Sequence, residues 1–142
     1  MLYRERFVCA MRCGHPVLNE TWDTDAFCRQ SFVLGSFYGG SFAGAADETL
    51  AQTGLRREVA VSVQSFAQIP EILRQSDLLA VVPSHLVRGQ GGLAVRELPF
   101  AVREYSELLL WHERSHADPV QKWLRAQLAE AAAEGADGQE AV

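Results

Sequence analysis

Residues 59–83 read VAVSVQSFAQIPEILRQSDLLAVVP, and three periodicities follow one another inside that stretch. Val59, Val61 and Val63 alternate with Ala60 and Ser62, the period of two that belongs to a β-strand. Ser65 and Gln68 then make a capping-box pattern for a helix whose inner face is Phe66, Ile69, Ile72 and Leu73. Pro70 removes a backbone hydrogen bond there, so the first turn is expected to be tight and irregular. Residues 78–82 form a continuous apolar run closed by Pro83, as expected of a central strand covered on both faces. A strand, a helix and a doubly covered strand in direct succession predict an α/β domain.

The rhythm continues outward. Towards the amino terminus, Ser41 can cap a helix carrying Phe42, Ala46 and Leu50 on one face, ended by Gly54 with Leu55 as an apolar clasp. Residues 32–34 read as a buried strand closed by Gly35, residues 24–29 as a helical turn over Phe27, and residues 6–12 as a strand stopped by Gly14, His15 and Pro16. Towards the carboxyl terminus, residues 93–98 follow a glycine turn as a short strand, and residues 105–111 read as the last strand. Asp118 caps the final helix, Pro119 suits its first position, and Val120, Trp123, Leu124 and Leu128 are expected to form its buried stripe. The Ala/Glu/Gly-rich end reads as a solvated tail.

With 142 residues, 48% hydrophobic and 22% charged, the chain can fill one compact core, which excludes collagen, coiled coil and whole-chain disorder. Its longest strictly apolar run falls far short of the ~20 residues of a membrane-spanning helix, and no secretion leader is visible. The net charge of −5 is concentrated beyond Arg125, where Glu130, Glu134, Asp137 and Glu140 meet no base. No basic stripe is present to displace counterions, so direct DNA binding by these residues is disfavoured. Cys9, Cys13 and Cys28 match no CxxC pair and read as small buried hydrophobes in a reducing compartment, which makes the cytoplasm the expected location.

Two segments carry chemistry. Residues 30–46 hold no charged side chain but four glycines and four aromatics, a strand-to-helix connection suited to line a pocket. It has neither G-x-G-x-x-G nor a phosphate-loop lysine, so an ordinary turn with a core plug competes with that assignment. His112, Glu113, Arg114, Ser115 and His116 spell H-E-x-x-H, the zinc-peptidase pattern, with Glu134 as a third ligand. That chemistry needs a continuous helix with both histidines on one face, whereas the segment reads as a strand end and loop running into the Asp118 cap. His15 reads as a turn histidine, and His85, just after a strand, as a surface residue or one at a pocket mouth.

With these elements in order, the chain resembles the effector-sensing region of LysR-type transcriptional regulators. The resemblance is carried by Phe7 and Val8 with Arg12, Gly14, His15 and Pro16, by residues 59–66, 69–73 and 77–83, and by Leu109-Leu110-Trp111-His112 followed by Ala117-Asp118-Pro119 and Trp123-Leu124. It spans residues 2–128. It implies a three-layer, Rossmann-like α/β lobe similar to one lobe of a type-2 periplasmic binding protein, plus a carboxyl-terminal strand and helix. Residues 1–104 would form the effector-binding lobe, residues 105–133 the strand and helix returning to a companion lobe, and residues 134–142 a flexible tail. The family's winged helix-turn-helix and most of its first lobe have no counterpart in these residues, so DNA would be reached only through a segment outside them.

The resemblance further implies a non-enzymatic sensor without cofactor or metal, binding a small organic effector, acidic or aromatic. The effector-binding residues would be Gly35, Ser36, Phe37 and Tyr38 after the second strand, Ser65 and Phe66 at a helix start, and Pro83 and Ser84 after the central strand. The helix start would offer unpaired N–H groups to a carboxylate. Self-association is expected, because the final helix lacks its usual partner. Two alternatives stand beside this: a zinc hydrolase using His112 and His116, and a stand-alone ligand-binding protein.

Overall fold

The computed structural model describes residues 1–36 and 43–137, with side chains to residue 134. It divides into two compact units, Arg6–Arg103 and a second made of Met1–Glu5 with the residues from Glu104 onward.

The larger unit is built on β2 (Phe7–Arg12), β3 (Ser31–Gly35), β4 (Glu58–Val63), β5 (Ala80–Pro83) and β6 (Leu93–Arg96). Strand β2 is antiparallel to both neighbours, pairing Phe7 with Pro83 on one side and Arg12 with Leu93 on the other. Strands β3 and β4 are parallel, with Gly35 opposite Val63. Leu79 joins the two sets: its N–H donates to Ser31 O at 2.9 Å, and its carbonyl accepts from Val33 N–H at 2.9 Å. The resulting strand order is β4-β3-β5-β2-β6. The apolar run 78–82 thus lies at the centre, as its composition predicts.

Alternation sorts the core into two faces. Cys9, Met11, Phe32, Leu79 and Val81 point to one side, where they meet Val17, Phe27 of α1 (Thr24–Cys28), and Ala46 and Leu50 of α2 (Ala45–Gln52). Val8, Ala10, Val33, Ala80 and Val82 point to the other, against Ile69 and Leu73 of α3 (Ile69–Arg74) and Val87 of α4 (Ser84–Val87). Each large side chain fully buried in this way, Phe27 and Phe32 included, contributes about 1.5–3 kcal/mol of transfer free energy. Helix, sheet and helix make three layers.

The irregular helix start predicted around Pro70 takes the form of a 3-10 turn, Phe66–Gln68, ahead of α3. At the end of α2, Gly54 adopts φ +73° and the Leu55 amide returns to Leu50 O at 3.0 Å, so glycine supplies the left-handed stop. Leu55 itself is exposed and forms no apolar clasp. Gly44, rather than Ser41, precedes the first residue of α2; Ser41 and Phe42 lie outside the described residues. Val61 is exposed, so the alternation in β4 produces no fully covered face among the described residues.

The smaller unit pairs β1 (Tyr3–Glu5) with β7 (Tyr105–Glu107) antiparallel and continues into α5 (Pro119–Asp137). The expected strand over 105–111 is shorter than its apolar run. Its pairing with β1 ends at Glu107, whose carbonyl accepts from Leu2 N–H just ahead of β1, and Leu108 and Leu110 are exposed. Asp118 caps α5 as predicted, its carboxylate accepting from the Gln121 amide at 2.9 Å. The stripe expected to be buried is not: Val120, Trp123, Leu124 and Leu128 are 69%, 63%, 43% and 42% exposed. The helix runs beyond the boundary expected at residue 133.

Candidate functional site

Strands β3, β4 and β5 run in one direction, so Gly35, Val63 and Pro83 end at the same edge of the sheet. From β3 the chain passes through α2 to β4 on one side, then through α3 to β5 on the other, and the two helices cover opposite faces. A reversal of this kind leaves a crevice at the carboxyl ends of the strands, the place where open α/β sheets bind ligands.

Gly35 is required by a close approach. A Cβ at this position would stand 2.6 Å from Phe66 Cδ1 and 3.3 Å from Ile69 Cδ1, so only a bare Cα lets the Phe66 ring lie across the end of β3. Ser36 follows, buried, and its N–H donates to Val63 O at 2.8 Å, tying the end of β3 to the end of β4. Gly35, Ser36 and Phe66 are therefore brought together. Pro83 and Ser84 leave the same edge on β5, where the Ser84 N–H donates to Arg6 O at 2.9 Å. Phe37 and Tyr38, the other two residues expected after β3, lie outside the described residues.

Ser65 is exposed and caps the 3-10 turn, its Oγ accepting from Ala67 N–H at 3.3 Å, while Gln68 N–H returns to Ser65 O at 3.2 Å. Two of the amides expected to be free for a carboxylate are thus spent inside the turn. With only one 3-10 turn and a six-residue helix behind them, little dipole is left to attract an anion.

One buried pair was not anticipated. Arg57, just before β4, has a side chain 1% exposed and forms a bidentate ion pair with Asp47 in the first turn of α2. Asp47 also accepts from Gly44 N–H at 2.7 Å. Burial alone would raise its carboxyl, but the bonds and charge of Arg57 and the Gly44 amide hold it below the usual range. An Arg-Arg dipeptide after a helix gives no local sign that its second member turns inward.

A concavity of about 510 Å³ opens at the other end of the same sheet and includes His15, Glu20, Arg29 and Asp77. Both nitrogens of buried His15 are already engaged there: Nδ1 accepts from Val17 N–H at 3.0 Å, and Nε2 lies 2.9 Å from Asp77 O. His15 is thus a clip between the end of β2 and the turn before β5. His85 is half-buried on α4.

The cysteines separate by position. Cys9 is fully buried and its thiol is pushed well up by desolvation, and Cys28 is half-buried and raised for the same reason, with Asp25 adding to the effect. Cys13, expected to be buried, is exposed because it follows the last residue of β2.

The H-E-x-x-H segment forms no helix with a shared histidine face. Glu113–Ser115 is a 3-10 turn, His112 Nδ1 caps it by accepting from Arg114 N–H at 3.0 Å, and His116 stacks on Trp111, its Nδ1 accepting from Trp111 Nε1 at 3.2 Å. Arg125 closes over Trp111 and donates to the carbonyls of Ser115 and His116. Among the described residues, no three His, Cys, Asp or Glu side chains stand close enough to hold a metal ion. The metallopeptidase alternative has no support. Among the same residues no helix is long and apolar enough to cross a membrane.

The family model described as "LysR substrate binding domain" matches residues 1–133. The chain is 33% identical over 134 residues to the HTH-type transcriptional regulator SyrM of Rhizobium meliloti (strain 1021), covering 92% of this chain and 41% of the relative. It is 32% identical over 127 residues to the HTH-type transcriptional activator NahR of Pseudomonas putida, covering 87% and 42%. The chain spans about two-fifths of the length of these relatives, both of them transcriptional regulators. Among solved structures, the regulatory domain of MexT from Pseudomonas aeruginosa is similar with a TM-score of 0.68 at 25% identity, over 91% of this chain and 62% of that one. A putative transcriptional regulator from Vibrio parahaemolyticus has the same fold, with a TM-score of 0.72 at 20% identity over 96% and 65%. A three-layer sheet with a strand-order reversal, and a family model matched along nearly the whole chain, lead to one conclusion: the chain belongs to the LysR substrate-binding-domain family.

Proposed function

We propose that this chain is the effector-sensing part of a LysR-type transcriptional regulator, working in the cytoplasm and catalysing no reaction of its own. The observation that carries this reading is the convergence of the ends of β3, β4 and β5 at a reversal of strand order, in a chain of this family. Gly35, Ser36, Ser65 and Phe66 form one wall of the site, with Phe37 and Tyr38 continuing it in sequence, and Pro83 and Ser84 form the other. The ligand is a small organic molecule, acidic or aromatic. Two proteins of similar fold were solved with such compounds, the CcmR regulatory domain of Synechocystis with 2-PG and the effector-binding domain of QuiR with shikimate.

An effector that binds one arrangement of the regulator more tightly than another shifts the population between them by that difference in affinity. DNA is contacted by a helix-turn-helix outside these residues. Residues 1–104 act as the sensing lobe and residues 105–133 as part of a companion lobe. The exposed stripe on α5 supports self-association.

A melting-temperature panel of benzoate, shikimate and 2-PG at millimolar concentration tests this. A ligand at 100 times its Kd adds ~2.7 kcal/mol, or roughly 5–10 °C for a domain of this size. Ser36→Ala should reduce that shift while leaving the unliganded melting temperature nearly unchanged. A panel in which no acid raises the melting temperature counts against the assignment.

A further inference from the structure

The concavity of about 510 Å³ lies where β3 and β5 begin, at the edge of the sheet opposite Gly35, Val63 and Pro83. Its size falls within the ~300–1,000 Å³ of small-molecule sites. Its walls are fixed by bonds between separate chain segments. His15 clips the turn after β2 to Asp77 O, Arg12 at the end of β2 donates from Nε and Nη2 to Asp77 Oδ1 at 2.7 and 2.6 Å, and the Leu79 N–H holds Ser31 O at 2.9 Å. Gln30 is tied back to α1, its Nε2 donating to Ala26 O at 3.1 Å. A hollow braced in this way exists before a ligand arrives, which lowers the ordering cost of binding.

The charged groups around it have capacity to spare. Both Arg12 nitrogens bond the same oxygen, so Asp77 Oδ2 has no partner among the described residues. Arg29 reaches only Glu20 with its side chain, Nη2 to Oε2 at 3.4 Å, and that side chain is 61% exposed. So loose a surface pair exchanges partners at little cost. Pro16, Val17 and Leu78 supply apolar wall beside these charges. Two guanidiniums, Arg12 and Arg29, balance two carboxylates, Glu20 and Asp77, so net charge draws in neither a simple cation nor a simple anion. A molecule carrying a carboxylate and an ammonium on one apolar body meets both signs and strands neither.

We propose that this concavity binds a zwitterionic amino acid with an apolar side chain, its carboxylate on Arg29, its ammonium on Asp77 Oδ2 and its side chain against Pro16 and Leu78. The site is separate from the effector site at the carboxyl edge of the strands and does not depend on that reading.

Amide NMR of the chain with L-leucine tests it, beside 4-methylpentanoate, which lacks the ammonium, and 3-methylbutylamine, which lacks the carboxylate. Leucine should move the Ser31, Asp77 and Leu78 amides saturably, with a Kd of about 1 mM or below, and leave Ser36 and Phe66 in place. Each one-charge analogue should bind at least tenfold more weakly. Arg29→Met, a change at an exposed side chain, should weaken leucine at least tenfold while the rest of the spectrum keeps its dispersion. The proposal is overturned by the absence of a saturable shift up to about 10 mM leucine, by an analogue that binds within twofold of leucine, or by Arg29→Met binding within twofold of wild type. Shifts centred on Ser36 and Phe66 would overturn it as well, since leucine would then be a ligand of the opposite edge.

Discussion

Phe66 occupies the space that a side chain at position 35 would need: a Cβ on Gly35 would stand 2.6 Å from its Cδ1 and 2.7 Å from its Cε1. Gly35→Ala must therefore displace the ring from the end of β3, at an overpacking cost of about 1–3 kcal/mol in urea denaturation. Combining it with Phe66→Leu should recover part of that loss, because the two sites share the contact. Simple additivity of the two changes would show that the ring does not rest on the glycine.

Asp47 makes the stability of the larger unit sensitive to acid in a defined direction. Its carboxyl is held below the ordinary 3.8, so the stability it contributes is present above that value and is lost as pH falls through the lower, folded value. The stability difference between wild type and Asp47→Asn should be constant above about pH 5 and should narrow below 3.8. Urea midpoints measured across that range decide it; a difference that widens on acidification would mean the carboxyl is not held low.

The three thiols should react in order of access. Cys13 is exposed, Cys28 is half-buried with a raised thiol, and Cys9 is buried in the sheet. A thiol reagent at pH 8 should label Cys13 first, Cys28 more slowly and Cys9 only on unfolding, because the thiolate is the reacting species. Mass spectrometry of the time course reads the order directly. Rapid labelling of Cys9 in the folded chain would contradict its placement in β2.

The apolar stripe of α5 should hold copies of the chain together. Trp123 is 63% exposed and Leu124 43%, on a helix whose apolar face is left partly open among the described residues. Sedimentation at micromolar concentration should give a species larger than a monomer, and Trp123→Glu should lower the mass without changing the far-ultraviolet spectrum. A monomeric wild type would remove the stripe from the list of contacts between copies.

The parts of the fold legible in sequence are those where one chemical requirement dominates. Residues 78–82 declare a central strand because both faces of β5 are covered, and Asp118 with Pro119 declares a helix start because few other pairs satisfy one so well. Where pattern depends on a distant partner, it misleads. Leu108, Leu109, Leu110 and Trp111 look like more strand, yet the pairing with β1 ends at Glu107; the amphipathic stripe of α5 looks like core, yet its side chains are 42–69% exposed. The candidate site is legible to the same degree. Gly35 and Ser36 stand out by the turn and Ser65 by its cap; the buried pair elsewhere in the unit, Arg57 with Asp47, gives no sign, since only the folded chain brings the two together.

Strand β2 is synthesised first among the strands of the larger unit, yet both of its neighbours, Ala80–Pro83 and Leu93–Arg96, come late in the chain. During translation its apolar segment, from Phe7 to Met11, must therefore wait with two bare edges, while β3, α2 and β4 can close locally. Such long-range pairing slows folding, and an unpaired apolar edge is a template for aggregation. The order of synthesis thus sets the exposed interval of β2, and a lower rate of expression should favour soluble product by reducing the concentration of neighbouring chains that could pair with it before β5 and β6 arrive.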